Sequence, residues 1–455
     1  MSERAQFVTR LGAIAATVGS AVGLGNIWGF PCSAGSNGGG AFLLIYLGCV
    51  FLVGIPVILC EFVIGRGTHK NVSGALKQLA PGTKLHWFSY VGICASIMIL
   101  SFYSVICGWV VEYLIQAISG NLSSQSSDEY EKMFGAFVSN PWRSSLWTLL
   151  FLLINFLVLR RGIKKGIEKV ANLLMPILFV ILIVFCVNAL TLDTAKDGLS
   201  FLFHPDFSKL TPKVAISAMG QAFFSLSIGL SCILTYASYF RDSDPLFRNA
   251  TIVALLDTLV ALLAGIMIFP VAISFIQGTG DKDSFELVFV TLPNLFNGLP
   301  GGGFVWSVLF FLLLFFASLT STISMSEISI SFFQEEHGMS RTKATGVNTI
   351  VCMVFGVLCA QSFGVLSDFT IFGKTIFGLF IFLSNDVLLP LGGVFFAWFV
   401  GWYIDKKFVD NQLTNFGTSE VSVWRKPLMF CIRYIAPIVI VVIFLYGLGL
   451  FDAIL

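Results

Sequence analysis

Long apolar stretches recur along this chain, and they restrict its fold more than any other feature. A helix needs about 20 apolar residues to cross a bilayer. Stretches of that order lie near 10–36, 41–65, 87–118, 143–160, 166–190, 214–240, 247–276, 302–335, 342–363, 369–404 and 427–450. Hydrocarbon offers no partner to backbone N–H and C=O groups, so a spanning segment must satisfy its own. The expected fold class is therefore an all-α polytopic membrane protein with eleven transmembrane helices. Composition agrees: 11% of the 455 residues are charged, against roughly 25% in a soluble domain. The net charge of +2 gives no ground for a nucleic-acid partner. Ten Cys follow no framework spacing and read as small core residues. The first stretch lacks a small-residue cleavage pattern and is too long for a signal peptide, so it is expected in the mature protein.

Within the first stretch runs Gly19-Ser20-Ala21-Val22-Gly23-Leu24-Gly25-Asn26-Ile27-Trp28-Gly29-Phe30-Pro31. Glycines and a proline at membrane depth break a helix and free backbone groups, which the bilayer tolerates only where they face protein, a cavity or a ligand. A second small-residue interruption, Ser225-Leu226-Ser227-Ile228-Gly229-Leu230-Ser231, lies in the sixth stretch. Stretches one and six are five apart, so two successive units of five helices run in opposite orientations. The chain is expected to be one membrane transport domain, 1–455. Its first repeat is 10–190 (helices 1–5), its inverted second repeat 214–404 (helices 6–10), and helix 11 is 427–450. Matched interruptions in two inverted halves point to a transporter site near the midplane.

Lys and Arg set orientation. With the N-terminus inside, nineteen fall in inside segments and seven in outside ones, with Arg433 left uncounted in helix 11. The expectation is a multi-pass protein of the cell inner (plasma) membrane, N-terminus cytoplasmic and C-terminus extracytoplasmic. The segments 121–142, 193–213 and 278–300 then lie outside, the last containing a short re-entrant or capping element.

Polar groups inside the apolar stretches mark where chemistry could sit. Asp257 lies mid-helix, and an intramembrane carboxylate is costly. It reads either as a structural hydrogen bond to a neighbouring helix or as a cation ligand. Thr320-Ser321-Thr322 reads either as hydroxyls turned back on i−4 carbonyls or as oxygen ligands for a hard cation. Tyr103 alone reads as structural. No metal-protease, nucleophile-elbow, paired-cysteine or phosphate-loop motif occurs, and the four His lie far apart. No catalytic residue is expected, and the chain is not expected to be an enzyme.

Several fragments in order resemble the neurotransmitter:sodium symporters, specifically the bacterial eleven-helix amino-acid transporters of LeuT-like fold. They are Arg10-Leu11-Gly12, the Gly19–Pro31 run, Asn37-Gly38-Gly39-Gly40-Ala41-Phe42, Gly54-Ile55-Pro56, and Glu61 with Gly65 and Arg66. Gln221–Ser227, Thr235–Tyr239, Ala254–Asp257 and Leu319-Thr320-Ser321 continue the match. The resemblance implies a 5+5 inverted repeat with helices 1 and 6 broken mid-membrane, and two sodium sites. The first would use Ala21 carbonyl, Asn26 amide oxygen, Ser225, Asp257 and the substrate carboxylate. The second would use carbonyls of Gly19, Val22 and Ala317 with the hydroxyls of Thr320 and Ser321. The substrate carboxylate would meet the Tyr103 hydroxyl and the amides of Leu24 and Gly25. Its amine would meet Ala21, Phe224, Ser225 and Ser227. Its side chain would face Ile99, Tyr103, Phe224, Leu230, Ser321 and Met325.

Other implied features are a cytoplasmic gate of Arg4, Phe7, Tyr239 and Glu335, and a release hinge of Gly166 and Pro176. Two positions depart from the family. Gly29 stands where relatives carry a gating Arg, and Ile381 where they carry its acid, with Asp386 near. An apolar gate, Tyr103 over Phe224, is expected instead. An acid beside the first sodium site implies that chloride is not required, with Asp257 offered as a route for proton return. The resulting expectation is a sodium-coupled symporter importing an apolar or aromatic amino acid by alternating access, the monomer sufficing. The alternative is a receptor or channel that kept the fold without transporting.

Overall fold

The computed structural model describes residues 6–123, 126–278, 284–417 and 422–451. Two isolated β-bridges, Gly39–Pro205 and Ile371–Lys374, interrupt an otherwise helical architecture among the described residues. The chain opens on a bent pair, Arg10–Ala21 (α1) and Gly25–Ser36 (α2), which meet at 52°. Four continuous spans follow: Gly40–Thr68 (α3), Leu85–Ile118 (α4), Pro141–Leu159 (α5) and Ile163–Ala189 (α6). Next come Pro212–Ser225 (α7) and Cys232–Ala237 (α8), each too short to cross a bilayer. Five further spans are Leu246–Ala272 (α9), Gly302–His337 (α10), Arg341–Gln361 (α11), Ile376–Tyr403 (α12) and Trp424–Gly447 (α13). Among the described residues nine helices thus pass as continuous spans, ten with the bent pair.

The two interruptions have local causes. α1 stops because Val22 turns extended, at φ −67° and ψ 111°, while Gly23 opens room for the neighbouring hydroxyls. Between α7 and α8 three residues take left-handed backbone: Ser227 at φ 52°, Gly229 at 84° and Ser231 at 70°. Gly229 is obligatory there, since a Cβ would lie 2.4 Å from the Leu389 carbonyl oxygen of α12. Glycines also let spans cross closely. Gly65 lies against the Leu234 carbonyl of α8, Gly108 of α4 against the backbone of Thr148 in α5, and Gly392 against the carbonyl of Gly229. α4 and α10 pack along each other at the centre, with α5 and α11 on their outer side.

The expected boundaries shift most at 369–404. The helix starts at Ile376, because Phe372 and Gly373 turn left-handed between the bridged Ile371 and Lys374, and Thr375 caps the helix. The segment 121–142, expected outside, contains a helix, Ser127–Ser139, announced by a Ser126/Glu129 capping box. Those hydrogen bonds hold the Glu129 carboxyl below its ordinary range. The segment 278–300 holds the apolar helix Leu287–Phe296.

Candidate functional site

The backbone groups freed by the first interruption find partners nearby. Gly23 N–H donates to Asn26 Oδ1 at 3.0 Å, and Leu24 N–H to the Tyr103 hydroxyl at 3.1 Å. The second interruption is held by Glu61, fully buried on α3. Its two carboxylate oxygens accept from Gly229 N at 2.8 Å and Leu234 N at 3.1 Å. Both breaks are thus hydrogen-bonded shapes, as buried backbone requires.

A small cavity of ≈ 40 Å³ lies between the breaks. Ala21, Gly25, Ile99, Tyr103, Phe224, Ser225, Ser227, Leu230, Ser321 and Met325 line it, each expected from the sequence. Gly23 and Leu389 line it too, and sequence reasoning missed both. Leu24 contributes its amide rather than a wall. No motif flagged Leu389, because its place depends on α12 crossing the Gly229 turn. The Leu24 amide and Tyr103 hydroxyl, both assigned to a carboxylate, here hydrogen-bond to each other.

Beside the cavity, Asp257 of α9 is fully buried. Asn26 Nδ2 donates to Asp257 Oδ1 at 2.7 Å and to Ser225 Oγ at 2.7 Å, and Ser225 Oγ donates to Asp257 Oδ2 at 2.8 Å. Tyr46 adds a hydroxyl 3.4 Å from Ser225 Oγ. Three of the side chains assigned to one cation site therefore meet. One feature differs from expectation: the Asn26 amide nitrogen, not its oxygen, faces the carboxylate, because the oxygen is taken by Gly23 N–H. The second set converges as well. Ser321 Oγ donates to the carbonyls of Val22 at 3.0 Å and Ala317 at 3.1 Å, and Thr320 Oγ1 donates to Ala317 at 3.0 Å. The Thr320 side chain packs against Gly19, 3.2 Å from where a Cβ would stand.

At the end carrying Arg66 and Arg341, Phe7 sits among Tyr236, Tyr239 and Phe240 at ring separations of 6.0, 6.0 and 6.4 Å. Its N–H donates to the Tyr239 carbonyl. Arg4 lies outside the described residues. Glu335 accepts from the backbone and side-chain nitrogens of Asn71, both at 2.8 Å. The Tyr239 hydroxyl donates to Glu327 at 2.7 Å, and Arg341 grips both Glu327 oxygens at 2.7 Å. This buried pair was not singled out from sequence, although a Glu inside an apolar stretch is the same signal that marked Asp257. Gly166 lies in the wide first turn of α6, Ile163–Glu168, and Pro176 lies further along the same helix, so the hinge segment is helical here. In that turn Glu168 accepts from the N–H groups of Val8 and Thr9, at 2.9 and 3.1 Å, and ties the start of α1 to α6.

At the opposite end Gly29 has Gln221 beside it, whose amide donates to the Gly25 carbonyl at 2.9 Å. Asp386 packs against Gly447 of α13. Tyr103 and Phe224 both line the central cavity. Elsewhere Phe285 packs edge-on against Trp28 at 5.2 Å and Trp109 at 5.5 Å.

Comparison with known proteins places these features. The profile of the sodium:neurotransmitter symporter family matches residues 4–136 and 139–454. An uncharacterised sodium-dependent transporter of Bacillus subtilis is 36% identical, over 99% of this chain and 99% of its own length. A sodium-dependent serotonin transporter of Drosophila melanogaster is 28% identical over 95% of this chain and 74% of its own. The crystal structure of MhsT in complex with L-phenylalanine matches with a TM-score of 0.89 and 40% identity, covering 98% of this chain and 100% of that one.

Proposed function

The chain belongs to the sodium:neurotransmitter symporter family, and from that premise we propose that it is a sodium-coupled symporter importing an apolar or aromatic amino acid by alternating access. The observation that carries this reading is Asp257. It is a buried carboxylate held by Asn26 and Ser225, with no cationic side chain bonded to it among the described residues, at the edge of the cavity between the two helix breaks. Sodium at that place neutralises the charge and helps assemble the site. The Leu24 and Gly25 amides, at the start of α2, suit a substrate carboxylate. Ile99, Phe224, Leu230, Met325 and Leu389 make an apolar wall, and Met packs adaptably. The structure determined with phenylalanine in MhsT supports the same substrate class.

A second sodium at Gly19, Val22, Ala317, Thr320 and Ser321 completes the reading. With α7 and α8 taken as one interrupted span, the count is eleven and the repeats are 10–190 and 214–404. The basic end faces the cytoplasm of a plasma membrane, and one subunit suffices. Asp257 supplies the negative charge beside the first sodium, so chloride is dispensable. Release to the cytoplasm starts with the hinge at Gly166 and Pro176 and with the Phe7, Tyr239 and Glu335 region.

The test is uptake of labelled amino acids into proteoliposomes under an imposed sodium gradient, in chloride and in gluconate. Sodium-driven uptake equal in both anions is expected. Uptake that needs chloride removes the anion argument, and substrate binding without gradient-driven uptake favours a receptor.

A further inference from the structure

A second cavity, ≈ 270 Å³, opens where α12, α13 and the short helix Lys406–Leu413 meet. It shares no residue with the central cavity. Four cationic side chains surround it, Lys406, Arg425, Lys426 and Arg433, with one carboxylate, Asp410. Arg425 is ion-paired with Asp410. Lys406, Lys426 and Arg433 have no carboxylate partner among the described residues. Arg433 is held in position: its Nε donates to the Gly401 carbonyl at 2.8 Å, and its guanidinium lies 5.5 Å over the Trp402 ring.

The surroundings hold the cavity open rather than letting it collapse. Arg66, fully buried on α3, donates to the Gln412 carbonyl at 2.6 Å, to the Gln412 side chain at 2.8 Å and to Asn415 at 2.7 Å. Those bonds pin the far end of the helix Lys406–Leu413, which presents Lys406 and Asp410 to the cavity. Like charges gathered at a fixed site repel one another, and an anion between them relieves that repulsion. Depth and wall chemistry indicate which anion. Trp402, Tyr403, Trp424 and Tyr434, within a few residues in sequence of residues that line the cavity, are exposed, and such rings mark the membrane–water boundary. Val400 and Met429 form an apolar side. α13, which supplies Met429 and Arg433, is the least buried of the nine continuous spans, and it exposes Phe430 and Ile438.

We propose that this cavity binds the phosphate-bearing headgroup of an anionic phospholipid, with the acyl chains lying along the exposed face of α13. Basic pockets between spanning helices recognise such headgroups by charge. A soluble phosphate ester shares the headgroup chemistry but gains nothing from the apolar side.

The experiment is native mass spectrometry of the full chain, purified in detergent, titrated with dioctanoyl phosphatidylglycerol, dioctanoyl phosphatidylcholine or glycerol 3-phosphate. One phosphatidylglycerol is expected to bind in preference to phosphatidylcholine. Lys406→Gln and Lys426→Gln are each expected to weaken it about five-fold, while the Lys→Arg pair retains it. Met429→Trp fills the apolar side without touching a charge and is expected to weaken binding too, which keeps the test open if the Gln pair folds poorly. Equal binding of the two lipids overturns the proposal, as does undiminished binding by the Gln pair. Glycerol 3-phosphate binding as tightly as phosphatidylglycerol overturns it in favour of a soluble anion.

Discussion

Asp257 is held by two neutral donors, and a buried charge in that state waits for a counter-charge. Asp257→Asn keeps the shape and removes the charge. Sodium-driven uptake by this variant is expected to fall about ten-fold or more in gluconate, a loss of one charge-assisted interaction, and to recover when chloride returns. Equal, wild-type uptake in both anions would take Asp257 out of the sodium site. Gly23 is the other residue on which the cavity depends. A Cβ there would stand 2.7 Å from Ser321 Oγ and 3.1 Å from the Tyr103 hydroxyl, both groups assigned to ligands. Gly23→Ala is therefore expected to abolish substrate binding, measured by scintillation proximity, while thermal unfolding shifts only a few degrees. At this scale the sequence was informative wherever residue type alone carries the chemistry. It marked a carboxylate in lipid, clustered hydroxyls and glycines in an apolar run. It could not say that the Asn26 amide turns its nitrogen toward Asp257, because that follows from Gly23 N–H claiming the oxygen.

The two interrupted elements owe their shape to different partners. The turn after α1 is held from within by Asn26 and from α4 by Tyr103, whereas the turn before α8 hangs on Glu61 of α3. Glu61→Gln leaves one acceptor and sets an amide N–H₂ against a backbone N–H. The cost is about 1–3 kcal/mol, seen as a lowered thermal midpoint with uptake reduced alongside. An unchanged midpoint would mean that the turn keeps its shape without the carboxylate. The residues where the helices stop were marked in the sequence, as glycine and serine runs inside apolar stretches. Their partners were not, because Glu61 is 168 residues from Gly229 and the contact depends on how α3 is rotated. The wide turn at Ile163–Glu168 is a comparable case. Gly166 and Pro176 were visible, but the tie from Glu168 to Val8 and Thr9 exists only once α1 and α6 are side by side.

Across the whole molecule, aromatic rings cluster in separate groups, Phe7 with Tyr236 and Tyr239 in one and Trp28 and Trp109 with Phe285 in another. The bidentate Glu327–Arg341 pair stands beside the first of these and joins α10 to α11. Arg341→Met strands a buried carboxylate and is expected to destabilise the protein by about 3–5 kcal/mol. Adding Glu327→Gln to that variant should restore much of the loss, which thermal unfolding of the single and double variants would measure. Full additivity of the two substitutions would show that the pair is not coupled. Gln221 beside Gly29 makes the same point about distance: its bond to Gly25 spans 196 residues of sequence. By itself the sequence determined that this chain is a bundle of spanning helices, and it marked two small-residue runs inside its apolar stretches. Lipid forces backbone hydrogen bonds to close locally, and that constraint is written residue by residue. The tertiary structure alone decided which side chains answer the open groups, because Asn26 and Asp257, 231 residues apart, become neighbours only through the rotation and crossing of packed helices.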